Sequence, residues 1–299
     1  MDLKSRDGIL HISLLGGQAR AILIESTAMV EEARRIHGLS RIASAALGRT
    51  LTATAMMGSM LKGTGESVTA SIRGDGPIGT VLAVASSDCD VKGYVDNPGI
   101  DLPRTGPKLP VGAAVGRDGR LTVIKDMHMR EPYVGQVNLV SGEIAEDFAM
   151  YFTASEQTPS LVSLGVLVSD EKVESAGGLI VQVMPGASEA AIASIEASAG
   201  MFMDISATMK EYHLDGAVQQ LLLHLEPEVL ERRDTKYACD CNRGRIERAL
   251  ITLGAEELGD MIATQHGAQV DCHFCNKRYE FSENDLKTLL DAATIREDR

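Results

Sequence analysis

Two short stretches decide how the C-terminal part of this chain is organised: "YACDCNRGRIERAL", Tyr237–Leu250, and "DCHFCNKRYEF", Asp271–Phe281. Four of the chain's five cysteines lie in them, as one C-x-C and one C-x-x-C pair: Cys239, Cys241, Cys272 and Cys275. Zn²⁺ takes four tetrahedral ligands, and a closely spaced pair supplies two of them from one turn. We therefore predict one zinc site held by all four thiolates, although zinc ribbons usually carry C-x-x-C in both arms.

The sequence offers weaker candidates for metal binding, reactive thiols and catalysis. His266 and His273 lie near the cysteines and are alternative ligands, but His273 is expected to point outward. Cys89 stands alone between two aspartates and is predicted to be an unreactive thiol. His128 is expected to be an ordinary surface or core histidine. The acidic run is predicted to lie mostly on a solvated helix face: Glu143, Glu146 and Asp147.

The composition narrows the function classes. The formal net charge of −13 argues against a protein that neutralises phosphates, and residues 236–299 hold nine Lys or Arg against twelve Asp or Glu. We expect no nucleic-acid partner. The longest weakly polar run, Thr50 to Leu61, is far shorter than the ~20 residues of a membrane span. The N-terminal residues carry charge where a signal peptide would be apolar. The chain is thus expected to be soluble and cytoplasmic, where paired cysteines more often bind metal or do redox chemistry than staple a fold.

The hydrophobic patterns predict an α+β fold with three parts. Residues 1–185 should form a large N-terminal α/β domain with mixed sheets, beginning with a hairpin that turns at Gly16-Gly17 and a helix from Ser26–Thr27 to His37. Residues 186–235 show helical periodicity and no strand signal, so we predict a helical linker region whose apolar stripe packs on the first domain: Ile192, Ile195, Met201, Phe202, Ile205 and Met209. Residues 236–299 should form a small, mainly helical zinc-binding redox domain.

The size of the last part makes it dependent on its metal. A unit of ~60 residues gains about 3–5 kcal/mol from its core alone, whereas structural zinc contributes roughly 10–16 kcal/mol of apparent folding free energy in small finger peptides. Cations near both pairs are expected to favour thiolates, the species that oxidants attack: Lys236, Arg243, Arg245, Arg248, Lys277 and Arg278. Such a site can act as a switch that unfolds on oxidation.

Two other functions fit the cysteines. One is a constitutive structural zinc-ribbon binding module. The other is a dithiol oxidoreductase, which the pattern disfavours because the C-x-x-C pair does not follow a strand in a βαβ unit. We find no Ser-His-Asp set, and "GDGPIG" lacks the lysine of a phosphate-binding loop. The protein is therefore expected not to be an enzyme.

Both cysteine stretches resemble the redox domain of the thirty-three-kilodalton heat-shock protein family, the redox-regulated holdase chaperones of bacteria. The likeness includes the C-x-C arm and extends to "GDGPIGTVLAVA", "GYVDNP" and "GGLIVQVMPGAS" in the N-terminal domain. It implies a reduced, zinc-loaded, inactive form. On oxidation, Cys239–Cys241 and Cys272–Cys275 would form disulfides, zinc would leave, and the C-terminal region and linker would unfold. The activated protein, typically a homodimer, would then hold unfolding client proteins.

Overall fold

The computed structural model of the chain describes residues 7–103, 106 and 108–297. These residues form two compact units, the first ending at Ala238 and the second beginning at Cys239. Both units contain helices and strands, which confirms the predicted mixed fold class. The sequence-based division of the chain into 1–185, 186–235 and 236–299 separates a helical linker from the first unit. This three-part division stays a prediction.

The first unit is built on two sheets. Its strands are β1 (Gly8–Leu14), β2 (Ala19–Glu25), β3 (Ser67–Arg73), β4 (Thr80–Ser86), β5 (Asp90–Val95), β6 (Arg120–Asp126), β7 (Tyr133–Asn138), β8 (Ser160–Val168), β9 (Val173–Val183), β10 (Glu228–Asp234) and β11 (Lys236–Tyr237). One sheet has the order β10-β1-β2-β9-β8, and the other has the order β11-β5-β4-β3-β6-β7. The β11–β5 pair is parallel, and the other neighbours are antiparallel.

The helices of this unit cover and separate the sheets. They are α1 (Thr27–His37), α2 (Arg41–Ser59), α3 (Val111–Val115), α4 (Ala145–Ala154), α5 (Glu189–Ser198) and α6 (Ile205–Leu222). Helix α2 is buried along nearly its whole length and packs against strands of both sheets. A Cβ on Gly48 would lie 2.6 Å from Val30 Cγ1, so this helix needs its small residues to pack closely. Within the described ranges, no helix has the length and apolar character of a bilayer span.

The predicted N-terminal hairpin and first helix are confirmed, with one unexpected cap. Helix α1 follows Ser26 and ends at Gly38, which has a left-handed φ of 60°. The Ser26 hydroxyl does not cap the helix and instead lies 2.8 Å from Thr52 Oγ1. Asp7 takes that role, because its carboxylate accepts hydrogen bonds from the amides of Ala28 and Met29 at 3.0 and 2.6 Å.

The predicted helical segment packs on the first sheet, with two corrections. Ile195, Phe202, Ile205 and Met209 are buried in one cluster with side chains of β1 and β2, but Met201 is 49% exposed. Residues 228–234 form strand β10, not helix, and pair with β1. "EVLERRD" has no strand signal because its side chains are almost all exposed and its backbone makes the pairing. Strand β7 was missed for the same reason.

The acidic run was also predicted wrongly in part. Glu146 is exposed, but Asp147 is fully buried. Its carboxylate accepts from the amides of Val140 and Ile144 at 2.8 and 3.0 Å and so fixes the start of α4. Glu143 pairs with Arg49 at 2.9 Å. These carboxylates therefore hold the loop before α4 in place.

The second unit surrounds a small core. It contains α7 (Arg243–Ile251), α8 (Ala255–Gln265), β12 (Gly267–Asp271), β13 (Arg278–Ser282) and α9 (Glu283–Glu297). Its three helices agree with the predicted mainly helical character, whereas the antiparallel β12–β13 hairpin was not predicted. Ser282 caps α9, because its Oγ accepts from the Asp285 amide at 3.2 Å. The hairpin matters for the site, since it carries two of the four cysteines at its tip.

Candidate metal centre

The C-x-x-C pair lies in the turn between β12 and β13. The Cys272 amide donates to the Lys277 carbonyl at 2.9 Å, and the Asn276 amide donates to the Cys272 carbonyl at 2.8 Å. Asn276 has a φ of 57°, a left-handed conformation that Asn tolerates better than most residues. This tight turn directs Cys272 and Cys275 toward one point.

The C-x-C pair lies on the segment just before α7. Asn242 caps that helix, because its Oδ1 accepts from the Arg245 amide at 3.0 Å. Arg243, the first residue of the helix, joins it to the hairpin and to α9: its guanidinium donates to the Glu280 carbonyl at 2.8 Å, lies 4.4 Å from the centre of the Phe281 ring, and pairs with Asp285 at 3.1 Å. Arg243 therefore holds the C-x-C arm against the C-x-x-C arm.

The four sulfur atoms converge. All lie within 4.8 Å of one another. The Sγ atoms of Cys239 and Cys272 are 3.7 Å apart, and those of Cys241 and Cys275 are 3.3 Å apart. All five cysteines are free thiols. Four convergent sulfurs from two arms form a donor set that could hold a metal ion.

Protonation differs among these thiols. Burial raises the pKa of Cys239, and hydrogen bonds with the neighbouring thiols raise it further. Burial also acts to raise the pKa of Cys241, but the Tyr279 hydroxyl and the neighbouring thiols stabilise its thiolate and lower the pKa to about 7. Burial raises the pKa of Cys275. Of these three thiols, Cys241 is therefore the one from which a proton leaves most readily.

Tyr279 is the residue that sequence reasoning missed. Its hydroxyl donates to Cys241 Sγ at 3.1 Å, while its ring is buried in the small core. Such outer partners orient and tune the groups that bind a metal. Nothing in the local pattern shows this contact, because Tyr279 and Cys241 meet only when the hairpin folds against the C-x-C arm.

The arginines near the cysteines act differently from the prediction. Arg243 pairs with Glu247 and Asp285, Arg245 pairs with Asp240, and Arg278 pairs with Asp271. Their charges are thus balanced by carboxylates of the same unit. The thiolate of Cys241 is instead favoured by the Tyr279 hydroxyl and the other thiols.

The remaining candidates lie outside the cluster. His273 is exposed, and His266 is 71% exposed and pairs with Glu283 at 3.5 Å. His128 is also exposed, with Nδ1 3.9 Å from Asp126. Cys89 is fully buried in the first unit, and burial raises its pKa to about 11. Cys89 is therefore poorly suited to react as a thiolate.

The sequence as a whole matches one family. The model of the Hsp33 protein family matches residues 7–282, a range that contains both units' strands and all four clustered cysteines. The chain belongs to the Hsp33 family. This membership confirms the resemblance seen in the two cysteine stretches and supports a chaperone function.

Relatives and a solved structure agree with this assignment. The chain is 46% identical over 286 residues to a 33 kDa chaperonin of Alkaliphilus metalliredigens, covering 95% of this chain and 98% of the relative. It is 45% identical over 287 residues to a 33 kDa chaperonin of Clostridioides difficile, covering 95% and 99%. The crystal structure of the 33 kDa chaperonin of Thermotoga maritima matches with a TM-score of 0.87 at 36% identity, covering 97% of this chain and 100% of that one.

Proposed function

We propose that this protein is a redox-regulated, ATP-independent holdase chaperone whose switch is the four-cysteine cluster. The observation that carries the proposal is the convergence of the four sulfurs within 4.8 Å in a unit with a small core. Membership of the Hsp33 family supports the chaperone part. The chemistry of the four thiols supports the redox part.

Zn²⁺ is the metal that fits this donor set. Zn–S bonds of about 2.3 Å in a tetrahedron place sulfurs about 3.8 Å apart. The Sγ atoms of Cys239 and Cys272 are 3.7 Å apart, those of Cys241 and Cys275 are 3.3 Å apart, and all four lie within 4.8 Å. Four thiolates are typical of structural zinc, which supplies folding free energy to small units. In the reduced protein, Cys239, Cys241, Cys272 and Cys275 would each supply one ligand to one zinc ion.

Oxidation would remove these ligands. For each disulfide, two thiols lose two electrons and two protons to one hydrogen peroxide, which becomes two waters. We propose the pairs Cys239–Cys241 and Cys272–Cys275, one within each arm. Each such disulfide takes both donors of an arm and leaves no covalent link between arms. The unit would then lose its zinc and most of its folding free energy.

Unfolding would next reach the helical segment that precedes the cysteines. The apolar residues of α5 and α6 are buried on the first sheet, so their departure would uncover both the segment and the sheet beneath it. A large exposed apolar surface binds apolar segments of other proteins. We propose that the partners are unfolding client proteins, that the activated protein is a homodimer, and that it works in the cytoplasm without nucleic-acid or membrane partners.

The test is a titration with two readouts. Reduced protein is treated with peroxide at elevated temperature while a zinc-sensitive dye reports release and light scattering reports aggregation of a thermally unfolding client. We expect about one equivalent of zinc to leave as aggregation is suppressed, with thiol reductant plus zinc reversing both. A Cys89→Ser variant, which keeps all four clustered thiols, should behave like the parent protein.

Two results would favour the other functions. Zinc release without suppression of aggregation would indicate a constitutive structural zinc module. Catalytic turnover of a thiol–disulfide substrate would indicate an oxidoreductase. The position of the C-x-x-C pair supports neither a helix-start thiol nor a βαβ redox motif, because the pair lies at the tip of the β12–β13 hairpin.

A further inference from the structure

Residues 228–238, here called the strap, close one edge of each sheet in the first unit. Strand β10 pairs antiparallel with β1 along the length of β1 from Gly8 to Ser13. Two residues after β10 ends, at Lys236, the chain has crossed to the other sheet, where β11 pairs in parallel with β5. Because β10 and β11 are the terminal strands of their sheets, removal of the strap would make β1 and β5 edge strands.

Polar side chains of the strap add to its backbone pairing, and two of them form ion pairs, Arg232 with Asp215 at 2.8 Å and Lys236 with Asp90 at 3.6 Å. Three others donate hydrogen bonds to backbone carbonyls of the body: Arg233 to Ser87, Thr235 to Cys89 at 2.8 Å, and Tyr237 to Gly93 at 2.8 Å. The apolar side chains of β10 point to solvent, with Val229 50% and Leu230 63% exposed. The β1 edge thus holds an extended backbone and makes little use of the side chains of β10.

The strap lies between the two parts that the proposed switch would unfold. It follows α6 and ends one residue before Cys239. Unfolding of the cysteine unit would leave the C-terminal end of the strap without a folded neighbour in the chain. Release of α5 and α6 would do the same at its N-terminal end. A short strand fixed at neither end and held mainly by backbone bonds is then easily lost.

We propose that the β1 and β5 edges, once the strap has left, bind extended segments of unfolding client polypeptide by strand addition. This inference rests on the proposed chaperone function and names the site at which that function operates. The strap itself shows which occupant fits, since it is an extended segment paired through its backbone. Recognition through backbone groups tolerates many sequences, as a chaperone requires.

Strand β7 provides an internal comparison. Its outer edge has no strand partner among the described residues, and Tyr133 and Val134 on it are 37% and 57% exposed. The strap does not cover this edge, so its availability would not change with oxidation. Only the β1 and β5 edges are covered by a segment that the switch could release.

The first test measures amide hydrogen exchange in the full-length protein, reduced, oxidised, and oxidised with reduced and carboxymethylated α-lactalbumin as the unfolded client. We expect amides in Gly8–Leu14 and Asp90–Val95 to exchange roughly tenfold faster or more after oxidation, and to regain protection with the client. Strand β2, which lies between β1 and β9, should stay protected throughout. Edges that stay protected after oxidation, or that the client leaves unprotected, would overturn the inference.

A second measurement separates backbone pairing from side-chain binding. A synthetic peptide of residues 228–238 should compete with the client for the oxidised protein. The same peptide with alternate backbone nitrogens methylated keeps every side chain but loses strand pairing, and should compete at least about tenfold less well. Equal competition by both peptides would exclude edge pairing.

The aggregation assay distinguishes failure of the inference from failure of the proposed function. If the oxidised protein suppresses aggregation while its β1 and β5 edges bind nothing, only the inference is wrong. If it suppresses no aggregation, the proposed function is wrong and the inference falls with it. A Leu230→Ser variant should retain the strap in the reduced state, because this side chain is already 63% exposed.

Discussion

The two units of this protein fold by different means. In the first, α2 is buried along nearly its whole length and packs against two sheets, so apolar burial is extensive. In the second, the core is a small cluster around Leu258, Phe281 and Leu286 that includes Cys272, and the other three clustered cysteines pack against it. We infer that the first unit is held by its core and that the second also depends on a metal bound by its thiols.

This difference gives the protein a stable part and a conditional part. A unit of ~60 residues has about 3–5 kcal/mol from its own core, which is no more than the stability of a marginal domain. Under the proposed function, chemistry at four sulfur atoms would therefore decide whether the second unit is folded, while the part of the first unit around α2 would keep its structure. The comparison can be tested by perturbing each unit and asking which one responds.

Metal removal should have the largest effect. Stripping zinc with a strong chelator under reducing conditions should remove roughly 10–16 kcal/mol of apparent folding free energy from the second unit and leave it unfolded. Amide exchange should rise throughout α7, α8 and α9 but not in α2. A folded second unit without metal would show that its core suffices and would remove the contrast between the units.

Two variants provide the control for that experiment. Cys275→Ala removes one sulfur of the cluster and should lower zinc content and open the second unit without chelator. Cys89→Ala removes a thiol from the first unit and should leave zinc content unchanged, because Cys89 lies outside the cluster.

A pH effect should appear in the first unit. Burial raises the pKa of Asp7 to about 7, and the negative charge of Glu25 adds to the rise. The amides of Ala28 and Met29, which donate to the carboxylate, lower the pKa and offset only part of this rise. Because the folded-state pKa lies above that of an unfolded aspartate, this stabilisation is present at low pH and lost as pH rises through 7. The first unit should lose about 2–3 kcal/mol between about pH 5 and pH 8.

The Asp7→Asn variant isolates this contribution. Because asparagine cannot ionise, the free energy of unfolding of the variant, measured with denaturant, should fall less over the same pH range than that of the parent protein. Parallel pH profiles for the two proteins would show that Asp7 does not titrate in this range.

A matched pair of glycine substitutions compares packing in the two units. Gly48→Ala in α2 places a Cβ 2.6 Å from Val30 Cγ1 and 2.9 Å from Val166 Cγ2, and should destabilise the first unit by about 1–3 kcal/mol. Gly259→Ala in α8 would meet no heavy atom of its described surroundings within 4 Å, and should stabilise the second unit by about 0.5–1 kcal/mol. Thermal unfolding of both variants, followed by unit-resolved amide exchange, measures both effects. Equal destabilisation would mean that the second unit is packed as tightly as the first.

The parts of the fold that the sequence predicts are those with strong local signals. The β1–β2 hairpin has alternating apolar residues around Gly16-Gly17, and α1 ends at Gly38 as the pattern indicates. The four cysteines were grouped correctly because close spacing is itself a local signal. Strand β10 was missed because its pairing with β1 involves the backbone and leaves its side chains exposed.

Contacts made by distant residues could not be predicted. Asp7 caps a helix more than twenty residues later, and its carboxylate replaces the Ser26 hydroxyl that the sequence favours. Tyr279 meets Cys241 only through the β12–β13 hairpin. In each case the partner is set by tertiary structure, which no short-range pattern encodes.

Tyr279→Phe tests the contact closest to the switch. The variant keeps the buried ring and removes only the hydroxyl that donates to Cys241 Sγ at 3.1 Å. Loss of one outer-shell hydrogen bond should weaken zinc affinity about tenfold, measured by competition with a chromophoric chelator, and should make oxidation release zinc more readily. Tyr133→Phe, which removes a hydroxyl from the first unit, is the control and should leave affinity unchanged. Unaltered zinc affinity in Tyr279→Phe would mean that the four thiols alone set the stability of the metal centre. The second unit would then need no hydrogen bond beyond its sulfur donors to hold the metal and stay folded.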